Sequence, residues 1–152
     1  MTLPNTRKRV EAEQKKLSDN DVVFFIRQRF TIAEINAGAN LLPALSRGKY
    51  QMVAAAMIAV GGAVAAVTTV DILATLAAAS RKLLAAAQAN LTQSTVIKDG
   101  ATGGAVLADG ASYTANDLNT AITVGKTGAD VTTATHVDVL FWYLIIGDVS
   151  LP

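Results

Sequence analysis

The strongest pattern along the chain is a two-residue alternation over Thr135–Ile146. On an extended strand, His136, Asp138, Leu140, Trp142, Leu144 and Ile146 share one face, and Val137, Val139, Phe141, Tyr143 and Ile145 share the other. The strand begins half polar and ends apolar on both faces, as expected in a sheet centre or under a subunit contact. Other apolar runs are rich in β-branched and aromatic residues: Asp21–Ile26, Phe30–Ile35, Val67–Leu73 and Ala121–Val124. Between them lie turn formers: Asn36–Asn40, then Ser46–Lys49 after Pro43, Lys98-Asp99-Gly100, Thr102-Gly103-Gly104, Ala108-Asp109-Gly110 and Gly125-Lys126-Thr127-Gly128. Short strands between turns predict an all-β fold, a single β-sandwich or jelly-roll-like domain.

The alanine-rich middle admits three conformations. Gly61-Gly62 between Tyr50–Val60 and Ala63–Thr75 is a hairpin signal, and two strands meeting there is the first expectation. A helix competes, because Ala is the best helix former; Thr75–Ala89 has helical composition, and one short helix is placed near Leu83–Leu91. A membrane span is the third. Residues 53–79 carry one charge, Asp71, over a length that satisfies a bilayer helix. Eleven of these 27 residues are alanine, however, and both flanks are basic, with Arg47 and Lys49 before and Arg81 and Lys82 after. Weak apolarity, no charge asymmetry and an intramembrane Asp make insertion marginal.

Composition sharpens the picture in two places. The chain has 152 residues, 51% apolar and 16% charged, below the roughly 25% charge of an average soluble domain. One domain with little polar surface is expected to cover some apolar area with copies of itself or a partner. Net charge is only +1, but Arg7, Lys8, Arg9, Lys15 and Lys16 cluster near the start against Glu11 and Glu13. Residues 1–20 thus read as a basic arm, extended or helical, preceding a domain over 21–152. The arm reads as a solvated, frayed terminus, a clamp on an acidic protein surface or a nucleic-acid contact; it lacks interleaved aromatics for stacking bases, so of the two functional readings the acidic protein surface suits it better. No apolar run follows it as a secretory signal requires, so synthesis and retention in a cytosol is the expectation.

Candidate chemistry is sparse. Without cysteine there is no thiolate, disulfide or Cys-ligated metal, and the single histidine makes a transition-metal site a poor expectation. His136 and Asp138 project to the same side, but no serine lies in an activating motif that would complete a triad. Gly125-Lys126-Thr127 resembles the end of a phosphate loop, yet Thr120 stands where that loop needs glycine, so it reads as a turn. Asp99-Gly100 and Asp109-Gly110 lack the alternating oxygen ligands of a calcium loop and read as hairpin turns. No catalytic, cofactor or metal residues are therefore assigned. Phe141, Trp142 and Tyr143 suit either a core strand or an oligomer contact.

Three stretches carry a family resemblance: Phe30–Gly38, then Met57–Gly62 with Val67–Ile72, then His136–Tyr143. In these the chain resembles small bacteriophage head proteins, the β-sandwich decoration, cement and head-fibre subunits. The resemblance implies a virion structural protein on the capsid surface, assembled in the host cytoplasm. It also implies a homo-oligomer, commonly a trimer, that binds the major capsid protein, with Arg7, Lys8, Arg9, Lys15 and Lys16 in an arm that ties shell subunits together. It implies no enzyme activity, cofactor, nucleic acid or membrane. A membrane protein spanning 53–79 and a viral tail or adhesin module are the alternatives.

Overall fold

The computed structural model describes residues 22–147. Its strands are β1 (Phe24–Thr31), β2 (Asn40–Leu42), β3 (Gly48–Val60), β4 (Ala65–Leu76), β5 (Ala79–Ala87), β6 (Val96–Lys98), β7 (Gly104–Ala105), β8 (Ile122–Thr132) and β9 (His136–Gly147). One α-helix, α1 (Ile32–Ala37), and a 3-10 turn (Ala111–Tyr113) complete the described elements. The strands form two antiparallel sheets, ordered β1-β9-β3-β6 and β2-β8-β4-β5-β7, packed as a sandwich. The all-β expectation holds. The basic segment 1–20 lies outside the described residues.

The core is made by the inward rows of both sheets. Phe30, Met57 and Phe141 from one sheet and Ile72, Leu84 and Ile122 from the other are almost wholly buried. Burying side chains of this size stabilises by about 1.5–3 kcal/mol each. Small residues alternate with large ones on these rows, as in Ala55, Met57 and Ala59 of β3. Alanine's helix preference is only a few tenths of a kcal/mol per residue over most neighbours. A two-residue burial period outweighs it, and the alanine-rich middle is strand.

Several expectations are corrected. No helix forms over Leu83–Leu91: β5 runs through Ala87 and pairs with β4 from Leu76↔Ala79 to Thr69↔Ala87. Its hairpin loop is Ala77-Ala78, both at positive φ (51° and 59°), as a two-residue primed turn requires. Asp117 supplies what alanine lacks, accepting the Ala77 amide at 3.1 Å and the Ala78 amide at 2.7 Å. The helix instead occupies Ile32–Ala37, across the end of a run expected to be strand (Phe30–Ile35) and the start of a segment expected to be a turn (Asn36–Asn40). There Thr31 and Glu34 close a capping box, and Gly38, at φ 80°, ends the helix in the left-handed region.

The Gly61-Gly62 turn joins two strands as expected, but they do not pair: the chain crosses there from one sheet to the other. Asp99-Gly100 likewise follows β6 towards β7 in the opposite sheet, and Asp109-Gly110 precedes the 3-10 turn, so neither makes a hairpin. Gly125-Lys126-Thr127-Gly128 is not a turn but lies within β8. Gly128, at φ 90°, sits between two register shifts, one where β4 carries the extra Thr68 and one where β8 carries extra residues before Thr132, which explains a glycine inside a strand. Residues 53–79 are divided between β3, β4, the connections that follow each and the start of β5, and no described helix is long and apolar enough to cross a membrane.

Candidate protein-contact surface

The outward face of the β1-β9-β3-β6 sheet follows from its registers. Phe25 pairs with Trp142, Arg27 with Leu140 and Arg29 with Asp138 across β1 and β9. Trp142 lies opposite Ala54, Leu140 opposite Ala56 and Asp138 opposite Ile58 across β9 and β3. Residues opposite one another on antiparallel strands point to the same side, so these rows build one face on which Phe25, Trp142, Leu140, Ala54, Ala56 and Ile58 form an apolar strip beside Arg27, Arg29 and Asp138. Phe25 is 52% exposed, Val96 49% and Val53 42%. The Phe25 and Trp142 rings lie 4.7 Å apart at 33°. A β-bulge between Met52 and Ala54 accompanies the exposed Val53. Val53, Ala54, Ala56, Lys98 and Trp142 line a shallow depression of about 290 Å³ there.

Charge sits around the strip. Asp138, itself buried, accepts from Arg29 Nε at 2.6 Å and Nη2 at 3.0 Å, and from Arg27 Nη2 at 2.6 Å. The arginine side chains remain 57% (Arg27) and 52% (Arg29) exposed, so they cover the carboxylate while facing solvent. Hydrogen bonds from Arg29, reinforced by those from Arg27, hold the Asp138 carboxyl at about 2 against the desolvation that opposes ionisation. Beside the depression, Asp99 accepts the Ala55 amide and, at 2.6 Å, the Tyr113 hydroxyl. That hydrogen bond pushes the Tyr113 phenol up to about 12.

The opposite sheet carries a second buried carboxylate on its outward side. Asp71 Oδ2 accepts from Thr127 at 2.7 Å and lies 3.3 Å from Lys82 Nζ. Lys82 also donates to Thr69 and to Thr127. Oδ1 of Asp71 accepts no hydrogen bond among the described residues.

The residues singled out in the sequence separate. Phe141 is fully buried, and Tyr143 packs from the same inward row against Phe24, Tyr50 and Phe141. Trp142 alone of the three lies on the outward face. His136 stands at the start of β9 with Nδ1 3.1 Å from Thr135 Oγ1, while Asp138 is taken by the arginines. Lys126 bonds Asp130 at 2.7 Å. Arg7, Lys8, Arg9, Lys15 and Lys16 lie outside the described residues. The Arg27/Arg29 pair was missed in the sequence, although two arginines two residues apart on a strand share a face and signal a common anionic partner.

No protein-family model, curated protein or solved structure matches the chain. What the surface can do therefore rests on its own chemistry: an apolar centre that gains from removal from water, and guanidinium groups at its margin that fit carboxylates. Among the described residues, no group of three or more His, Asp or Glu side chains is placed to hold a metal ion.

Proposed function

We propose that the chain is a non-catalytic structural subunit that works by binding other protein surfaces, and that it decorates or cements the shell of a virus particle. One observation carries this reading: the solvent-facing strip that includes the paired rings of Phe25 and Trp142, the depression beside it and Arg27, Arg29 and Lys98 next to it. Contiguous apolar surface on a soluble fold marks an interaction site, and Trp and Arg are enriched among the residues that dominate interface energies. A shell-bound protein needs no deep pocket, because repeated weak contacts on a lattice give avidity. Preferential binding to the mature lattice stabilises it by mass action. In this reading the chain is a trimer on the virion surface, its partner is the major capsid protein, and residues 1–20 reach neighbouring shell subunits.

The test is co-sedimentation of the full chain with undecorated shells of the cognate virus. Wild type is expected to pellet with them, and replacing the exposed Phe25 and Val53 by Ser is expected to weaken retention about ten-fold or more with an unchanged circular-dichroism spectrum. Undiminished retention removes this face from the reading. Attachment to host cells in place of shells reassigns the protein as an adhesin. Deleting residues 1–20 is expected to leave a folded trimer, by light scattering, that no longer pellets; unchanged binding removes the arm.

A further inference from the structure

The four sheet edges are not alike. Strands β6 and β2 have three residues each and β7 has two, and the pairing of β2 shifts register. Short or irregular strands are the usual protection against unwanted pairing. Edge β1 has eight residues, no proline and an unbroken register with β9 from Phe24↔Tyr143 to Thr31↔His136. Among the described residues nothing pairs with its other side. A regular edge of this length offers a row of free amides and carbonyls to an incoming strand.

Side-chain burial along β1 points the same way. Its inward row is closed only at one end: Phe30 is buried, whereas Phe24, Ile26 and Gln28 are half-buried. The row that should seal the sandwich is thus open to water over most of its length. Its outward row, Phe25, Arg27, Arg29 and Thr31, is exposed, with one carboxylate, Asp138, shared between two guanidinium groups. The edge therefore combines unpaired backbone, an incomplete apolar row and an excess of positive charge.

We infer that β1 takes an extended segment of another protein as an added strand, and that this segment presents apolar residues inward and acidic residues outward. Charge selects that occupant over a second copy of the chain. Antiparallel pairing of β1 with itself, in the long registers that keep both outward rows on one face, sets Arg27 opposite Arg27 or Arg29, and like charges directly opposite are unfavourable. The chain's own basic segment, with Arg7, Lys8, Arg9, Lys15 and Lys16 against two glutamates, carries the same sign as the edge. An acidic strand instead brings carboxylates to the free sides of Arg27 and Arg29, and its apolar row covers Ile26 and Phe24. This inference deepens the proposed function and rests on it only for the class of partner.

The test uses the full chain and synthetic peptides that alternate Val and Glu over the length of β1. By fluorescence anisotropy the Glu peptide is expected to bind at least about ten-fold more tightly than its Lys counterpart, since only the former complements the arginines. N-methylation of every second peptide amide on the edge-facing side is expected to abolish binding, because strand addition depends on the backbone. Hydrogen exchange of β1 amides slows when the peptide is present. Arg27→Gln, which leaves Arg29 holding Asp138, is expected to weaken the Glu peptide several-fold with the fold intact by circular dichroism. Equal binding of the Lys peptide, retained binding after N-methylation, or no binding at all overturns the inference. So does protection of β1 that grows with protein concentration alone, which is self-pairing. Loss of peptide binding with shell binding retained through Phe25 and Val53 removes this inference and leaves the proposed function; loss of shell binding alone does the reverse.

Discussion

Asp138 and Asp71 are both 1% exposed, both face outward from a sheet and both lie under cations, yet only one is a closed system. Asp138 has three charged hydrogen bonds from two arginines that share one strand face, and both its oxygens are used. Asp71 draws a hydroxyl and a lysine to one oxygen and leaves the other without a partner among the described residues. Burying a carboxylate is costly unless hydrogen bonds replace its hydration. The difference teaches that burial and a nearby cation do not by themselves make a stabilising ion pair. Guanidinium forks at matched positions do so, while a single ammonium shared with two threonines compensates only in part.

Removing each carboxylate tests the contrast most directly. Asp138→Ala leaves two arginines side by side without their anion and should lower unfolding stability in urea by about 3 kcal/mol, at the low end for breaking a buried pair. The pH dependence should come next. Because the folded-state pKa of Asp138 is depressed, its contribution is full above the unfolded value and is lost as pH falls towards about 2. That loss is on the order of 2 kcal/mol between roughly pH 5 and pH 2, and should be absent from the slope of Asp138→Ala. The two arginines should then separate. Arg29→Lys forfeits a two-point contact and should cost about 1 kcal/mol, more than Arg27→Lys, which replaces a single bond. Smallest of all, Asp71→Asn should change stability by no more than about 0.5 kcal/mol, since it removes a charge that was only half compensated. If Asp71→Asn proves as damaging as Asp138→Ala in the same urea series, the distinction between the two carboxylates collapses.

How much of this was legible in the chain varied with the range of the interaction. The alternation over Thr135–Ile146 sorted Trp142 from Phe141 and Tyr143, because strand periodicity is local. The capping box at Thr31 and Glu34 was equally local, but the surrounding Phe30, Ile32 and Ile35 carried a strand signal that outweighed it. Two alanines at positive φ carry no turn signal at all, and their support, Asp117, lies some forty residues away. The arginines over Asp138 are separated from it by more than a hundred residues. Strand content was therefore readable, while the pairing of β3 with β9 instead of with β4, and the contact surface that pairing creates, depended on long-range partners that no window of sequence contains.

The position of β9 also sets a timetable. Strands β1 and β3 never touch as partners; each pairs with β9, which lies between them and is synthesised last of the described elements. A ribosome adds roughly 5–20 residues per second, and N-terminal units usually fold first. Here the first long strands to emerge must wait, with apolar rows unpaired, until His136–Gly147 arrives to zip them together. The sheet that bears the contact surface therefore forms only after the last of the described strands has been made, so a nascent copy that stops short of β9 presents no finished face to a partner.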